Sequence, residues 1–109
     1  VVKGDAYDAT TGQAITFTDS GAWPDLAGHT VKLTIATQIG LTVVATSTCS
    51  VAAGPPQIIT APLTAAQTAA LTPGAAYVYD IRAQLGTGEI RTLVAASQVI
   101  VTQPITTTW

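Results

Sequence analysis

A two-residue alternation runs through residues 29–36, and it limits this chain to pleated, half-buried sheet. Val31, Leu33 and Ile35 fall on one side, and Thr30, Lys32 and Thr34 on the other. Successive side chains of a strand point to opposite faces, whereas a helix would scatter these apolar residues around its circumference. The same signature recurs along the chain. At 14–18, Ile15 and Phe17 share a face ahead of the turn Asp19-Ser20-Gly21. Residues 41–48, beyond Gly40, read as a further strand, with Val43 and Val44 side by side leaving its inward face open. Gly54-Pro55-Pro56 is a strong break. Residues 57–61 form a short strand that Pro62 confines to an edge or a strand end. The longest run, 75–85, places Tyr77, Tyr79, Ile81, Ala83 and Leu85 opposite Asp80, Arg82 and Gln84. Gly86-Thr87-Gly88 turns the chain into a returning strand at 89–94, and 97–102 forms the last strand.

One segment departs from period two. Thr64 and Gln67 stand at the spacing of a capping box, and the Ala-rich run behind them has high helix propensity. The expected helix covers 65–71 and ends at Pro73-Gly74. So short a helix is marginal alone and requires Leu63 and Leu71 packed beneath the sheets. The expected fold is therefore all-β: an immunoglobulin-like β-sandwich of about seven strands, with one short helix before the sixth. Residues 1–109 form one domain, with extended segments at 1–11 and 103–109. Tyr77 or Tyr79 suits a tyrosine-corner role, while the Cys–Trp–Cys signature of antibody domains is absent.

Charge narrows the function. Only 9% of residues are charged, and none lies between Lys32 and Asp80, against roughly 25% in an ordinary soluble domain. Solubility then rests on Thr, Ser, Gln and exposed backbone. Such a surface suits a subunit covered by its neighbours, a homo-oligomer within an assembly, because charge is depleted at interface cores. A neutral, Thr-rich extracellular domain is the alternative. Four scattered basic residues and a net charge of −2 argue against nucleic acid. The uncharged stretch is broken too often by Thr, Gln, Ser, Gly and Pro to span a membrane.

The groups needed for chemistry are sparse. His29 is the single histidine and Cys49 the single cysteine; His29 reads as a surface turn residue and Cys49 as a small buried hydrophobe. Asp5, Asp8, Asp19 and Asp25 are too widely spaced for a calcium loop, and Asp19 and Asp25 suit turn backbone instead. Zinc ligands are lacking. The expectation is a non-enzyme with no catalytic residue, no cofactor and no metal. Among the six aromatics, Trp23 and Trp109 are the candidates for exposure. Trp23, Pro104, Ile105 and Trp109 are the candidate interface residues, with Trp109 anchoring the tail on a neighbour or folding back on its own domain.

Two stretches carry a resemblance. Asp25-Leu26-Ala27-Gly28 leads into the strand at Thr30. Leu63-Thr64, Gln67-Thr68, Leu71 and Pro73-Gly74 lead to Tyr77-Val78-Tyr79-Asp80. In this order they resemble the small Ig-like domains of tailed-bacteriophage structural proteins, similar to the N-terminal domain of baseplate upper proteins, over roughly residues 12–103. Ser97 stands where that family often has Gly, and the hairpin turn is Gly-Thr-Gly instead of Asp-Gly. The resemblance implies a virion structural protein of the tail, baseplate or head surface, assembled in the host cytoplasm with other virion proteins as partners. The competing expectation is a cell-surface or carbohydrate-binding Ig-like module of a larger bacterial protein.

Overall fold

The computed structural model describes residues 1–8 and 10–106. Seven strands and one helix follow in the order β1 (Thr16–Thr18), β2 (Thr30–Thr37), β3 (Val43–Thr48), β4 (Ser50–Ala52), β5 (Ile58–Thr60), α1 (Ala65–Ala69), β6 (Tyr77–Gln84) and β7 (Ile90–Val99). They form two antiparallel sheets, ordered β1-β5-β4 and β3-β2-β6-β7. Those are the B-E-D and C′-C-F-G orders of an immunoglobulin-like sandwich. The helix precedes the sixth strand, as the Ala-rich segment predicts.

The alternation in β2 becomes the floor of the core. Val31, Leu33 and Ile35 are buried beside Tyr77, Ile81 and Ala83 of the same sheet, and they join Ile59 of the facing sheet together with Ala61, Leu63 and Leu71. Fully burying a Val, Leu or Ile side chain contributes about 1.5–3 kcal/mol. The odd-numbered face of β6 is buried at Tyr77, Ile81 and Ala83 and half-buried at Tyr79. Phe17 from β1 reaches across to Tyr79, with ring centroids 5.9 Å apart, which fastens one sheet to the other.

Helix α1 is shorter than the expected 65–71. Thr64 accepts from the Gln67 N–H, and the Gln67 side chain accepts from the Thr64 N–H, closing the capping box. Ala70 caps the helix and Leu71 turns inward, so burial of Leu71 ends the helix before its propensity runs out. Tyr77 makes the corner contact, its Oη accepting from the Thr72 N–H at 2.9 Å.

Two strand boundaries differ from the sequence expectation. The separate strands at 89–94 and 97–102 are one continuous β7, paired to β6 with two register shifts. Ser97 faces Tyr79, Val94 faces Ile81 and Thr92 faces Arg82, so β7 carries an extra residue at each shift. These are β-bulges, which bend a strand without ending it. The other difference is β4. The chain leaves the four-stranded sheet after Thr48 and enters the three-stranded sheet at Ser50, so Cys49 is the point at which it changes sheets.

The N-terminal segment is tied down by backbone pairing. Val2 bridges Thr102 in parallel, and Tyr7 pairs with Leu63. The Tyr7 Oη accepts from the Val2 N–H at 2.6 Å.

Candidate functional site

The β2–β3 hairpin presents the most exposed apolar group among the described residues. Ile39 is 90% exposed, Leu41 66% and Val43 57%, with Val44 beside them. Its geometry is held by Thr37. The Thr37 hydroxyl donates to the Ile39 carbonyl at 2.8 Å and accepts from the Thr42 N–H at 3.0 Å. The Thr37 N–H donates to the Thr42 carbonyl, and Gln38 N–H to that of Ala76. Leu41 adopts a left-handed backbone at φ 50°. A non-glycine residue in that region costs on the order of 1–2 kcal/mol. A bulky aliphatic side chain is thus held in a strained conformation and aimed at water.

Behind this tip runs β3, an edge of the four-stranded sheet. Ala45 and Ser47 face inward and are buried, and the Ser47 hydroxyl donates to the Pro62 carbonyl. On the outward side, the Thr46 carbonyl accepts from Gln67 Nε2 at 2.8 Å. The Gln67 side chain therefore takes up one acceptor in the middle of this edge and leaves the Val43–Val44 end open. No charged residue interrupts it, and an uncharged apolar edge is a template for pairing with another chain. The opposite edge, β7, carries two bulges, against the single register shift that places Val44 as an extra residue in β3. It also has the Arg91–Glu89 ion pair at 3.1 Å. Bulges and charges both blunt pairing, so β7 is the better protected edge.

The candidate interface residues fall elsewhere. Trp23 is half-buried against the core, its Nε1–H donating to the Leu93 carbonyl at 3.1 Å. Pro104 is half-buried, while Ile105 is fully exposed. Trp109 lies outside the described residues. Sequence reading overlooked the 39–44 group. Its signal was the adjacent Val43-Val44 behind Gly40, where a register shift against β2 leaves Val44 as an extra residue and breaks the alternation.

A cleft of about 810 Å³ lies between the 19–27 loop and residues 53–57. Its polar groups are committed to building the loop. Asp19 Oδ1 accepts from the N–H groups of Gly21 and Trp23 at 2.8 and 3.2 Å. Gln57 donates to Asp19 Oδ2 and to the Pro24 carbonyl, and accepts from the Leu26 N–H. Partial desolvation pushes the Asp19 carboxyl up, but the N–H donors outweigh it and hold the group below its ordinary value. Asp25 accepts from the Ala27 N–H.

His29 and Cys49 also serve locally. His29 Nδ1 accepts from the Gly86 N–H at 3.0 Å, fastening the β6–β7 hairpin. Cys49 packs against the core, and burial pushes its thiol up, away from the thiolate needed for nucleophilic chemistry. Among the described residues, no three His, Cys, Asp or Glu side chains gather as metal ligands would.

Comparisons with protein-family models, with characterised proteins and with solved structures found no match for this chain.

Proposed function

We propose that this domain is an assembly module of a bacteriophage virion, joined to neighbouring structural proteins through the Ile39–Leu41 tip and the open end of β3. The observation that carries this reading is the strained hairpin, braced by the Thr37 hydroxyl, that keeps Ile39 and Leu41 in solvent. Backbone strain persists where the surrounding structure imposes it, and it concentrates at functional positions. A rigid apolar tip loses little entropy on docking, which is the advantage of a preorganised contact. The uncharged run from 33 to 79 adds no ionic desolvation cost when the edge is covered. The virion setting is supported by the sequence resemblance at 25–33 and 63–81. The carbohydrate-binding alternative has weaker support, because Trp23 is half-buried with its indole N–H committed to Leu93.

The test is incorporation into particles. Purified virions from the phage that encodes the gene should contain the protein by mass spectrometry. The double change Ile39→Asp and Leu41→Asp leaves the core untouched and should lower incorporation by about tenfold or more, as the loss of two buried aliphatic contacts implies. Particles without the protein, or normal incorporation of the double variant, would refute the proposal.

A further inference from the structure

Strand β1 pairs with β5 on one side only. The bonds from Ala61 N–H to the Ile15 carbonyl and from Asp19 N–H to the Gln57 carbonyl fix which backbone groups face β5. By alternation, the N–H and C=O of Thr16 and Thr18 point to the free side. In immunoglobulin-like sandwiches of this order strand A occupies that side. Here the N-terminal segment pairs with Thr102 and Leu63 instead.

Beside this edge the sandwich opens. A groove of about 290 Å³ is lined from one sheet by Ile15 and Phe17 and from the other by Tyr79, Val99 and Ile100, with Leu33 and Ile35 beneath. Four of its lining residues, Leu33, Ile35, Leu63 and Val99, belong to the buried core cluster. No charged side chain lines it. The volume lies at the bottom of the roughly 300–1,000 Å³ range typical of pockets for drug-sized ligands. It suits the alternate side chains of an added strand, whose main chain would pair with Thr16 and Thr18.

The same chain carries a matching segment. Residues 103–109 contain no charge and are rich in Thr, and Ile105 is fully exposed. Past its root the tail is exposed at Gln103, Ile105 and Thr106 and half-buried at Pro104. Thr102 is already bonded in both directions, its N–H to Val1 and its carbonyl to Lys3. Gln103 precedes proline, which biases it to extended backbone. We propose that the segment around Ile105 of one copy adds as a strand along β1 of a second copy, seating the Ile105 side chain between Ile15, Phe17 and Tyr79. This deepens the assembly reading and rests on it in one respect, that copies of this chain meet. The contact is heterologous, so it propagates from copy to copy and closes into a ring or runs on as a filament.

Cross-linking tests it on the full chain in a Cys49→Ser background. Thr106→Cys protein is mixed under mild oxidation with Thr16→Cys or Thr18→Cys protein. Opposed strand positions lie within disulfide range, so one of the two mixtures should give a covalent dimer. Thr34→Cys, on the outer face of the other sheet, is the control. Adding Ile105→Asp should lower the yield by at least about tenfold, the change expected for losing one buried Ile. Because Ile105 is fully exposed, that change does not threaten folding. A yield no higher than the Thr34→Cys control, or one insensitive to Ile105→Asp, overturns the proposal. A monomeric disulfide in a chain carrying both Thr18→Cys and Thr106→Cys, at a dilution that suppresses dimers, also overturns it by showing a tail folded on its own domain. Failure here with incorporation still dependent on Ile39 and Leu41 removes the tail contact and leaves the assembly reading standing.

Discussion

Thr68→Val isolates one buried hydroxyl. Thr68 is fully buried in α1, where its Oγ1 donates to the Asp5 carbonyl at 2.7 Å and approaches the Ala65 carbonyl at 3.1 Å. Through this bond the helix holds the N-terminal segment. Valine keeps the shape and has nearly the same helix propensity as threonine, so neither packing nor propensity changes much. The hydrogen bond is worth about 1 kcal/mol net, and leaving the Asp5 carbonyl without a partner costs about 1–3 kcal/mol more where water is excluded. The added methyl returns up to about 0.8 kcal/mol. Since Asp5 is only half-buried, a net loss near 1.5 kcal/mol is expected. For a domain of this size that lowers Tm by roughly 6–12 °C. Scanning calorimetry measures it, with Thr68→Ser as the companion. Serine keeps the hydroxyl and loses the methyl, so it should fall between wild type and valine. If Thr68→Val melts at or above wild type, the buried bond does not hold the segment and the reasoning fails.

Three further outcomes follow from the same structure. Tyr77→Phe removes the corner bond to Thr72, and because Thr72 is exposed and its N–H can reach water, the loss should be about 1 kcal/mol in urea unfolding; a loss above about 3 kcal/mol would mean the ring itself had moved. Gln57→Leu strips partners from Leu26 N–H and the Pro24 carbonyl, and equilibrium unfolding should show about 2–3 kcal/mol of destabilisation, against none if the 19–28 loop is held by its own turns. The Asp8 carboxyl is held below its usual 3.8 by the Thr10 hydroxyl and the N–H groups of Thr11 and Thr10. Its contribution is complete above the unfolded value and is lost as pH falls through the lower folded value. Thermal melts between about pH 5 and pH 2 should therefore decline less steeply for Asp8→Ala than for wild type, and parallel declines would count against the assignment.

How far the sequence carries can be read from particular elements. The alternation at 29–36 gives β2 and its buried face directly, because positions on the same face are two residues apart in any strand. Thr64 and Gln67 give the start of α1, because a capping box is closed within four residues. The candidate interface was less accessible. Ile105 was named from its place in the tail, and the structure leaves it exposed. Trp23 reads as a candidate for exposure, beside Pro24, yet Leu93, 70 residues away in sequence, supplies the partner for its indole N–H. The 39–44 group is not legible as a surface from sequence, because a Val-Val pair reads the same whether it faces a core or water.

The sequence by itself determined strand-forming segments, turns, the helix cap and the absence of charge across the middle of the chain. Each is set by residues within a few positions of one another, where steric preference and short-range hydrogen bonding act. Only the tertiary structure decided that β7 continues through two bulges, that Cys49 marks the change of sheet, and which edges remain open. A strand cannot encode alone which neighbour it pairs with, since every backbone offers the same donors and acceptors. That choice comes from the packing of both sheets on one core. It leaves β1 beside an apolar groove and the β2–β3 tip in solvent, and those two places carry the proposals for what this domain does.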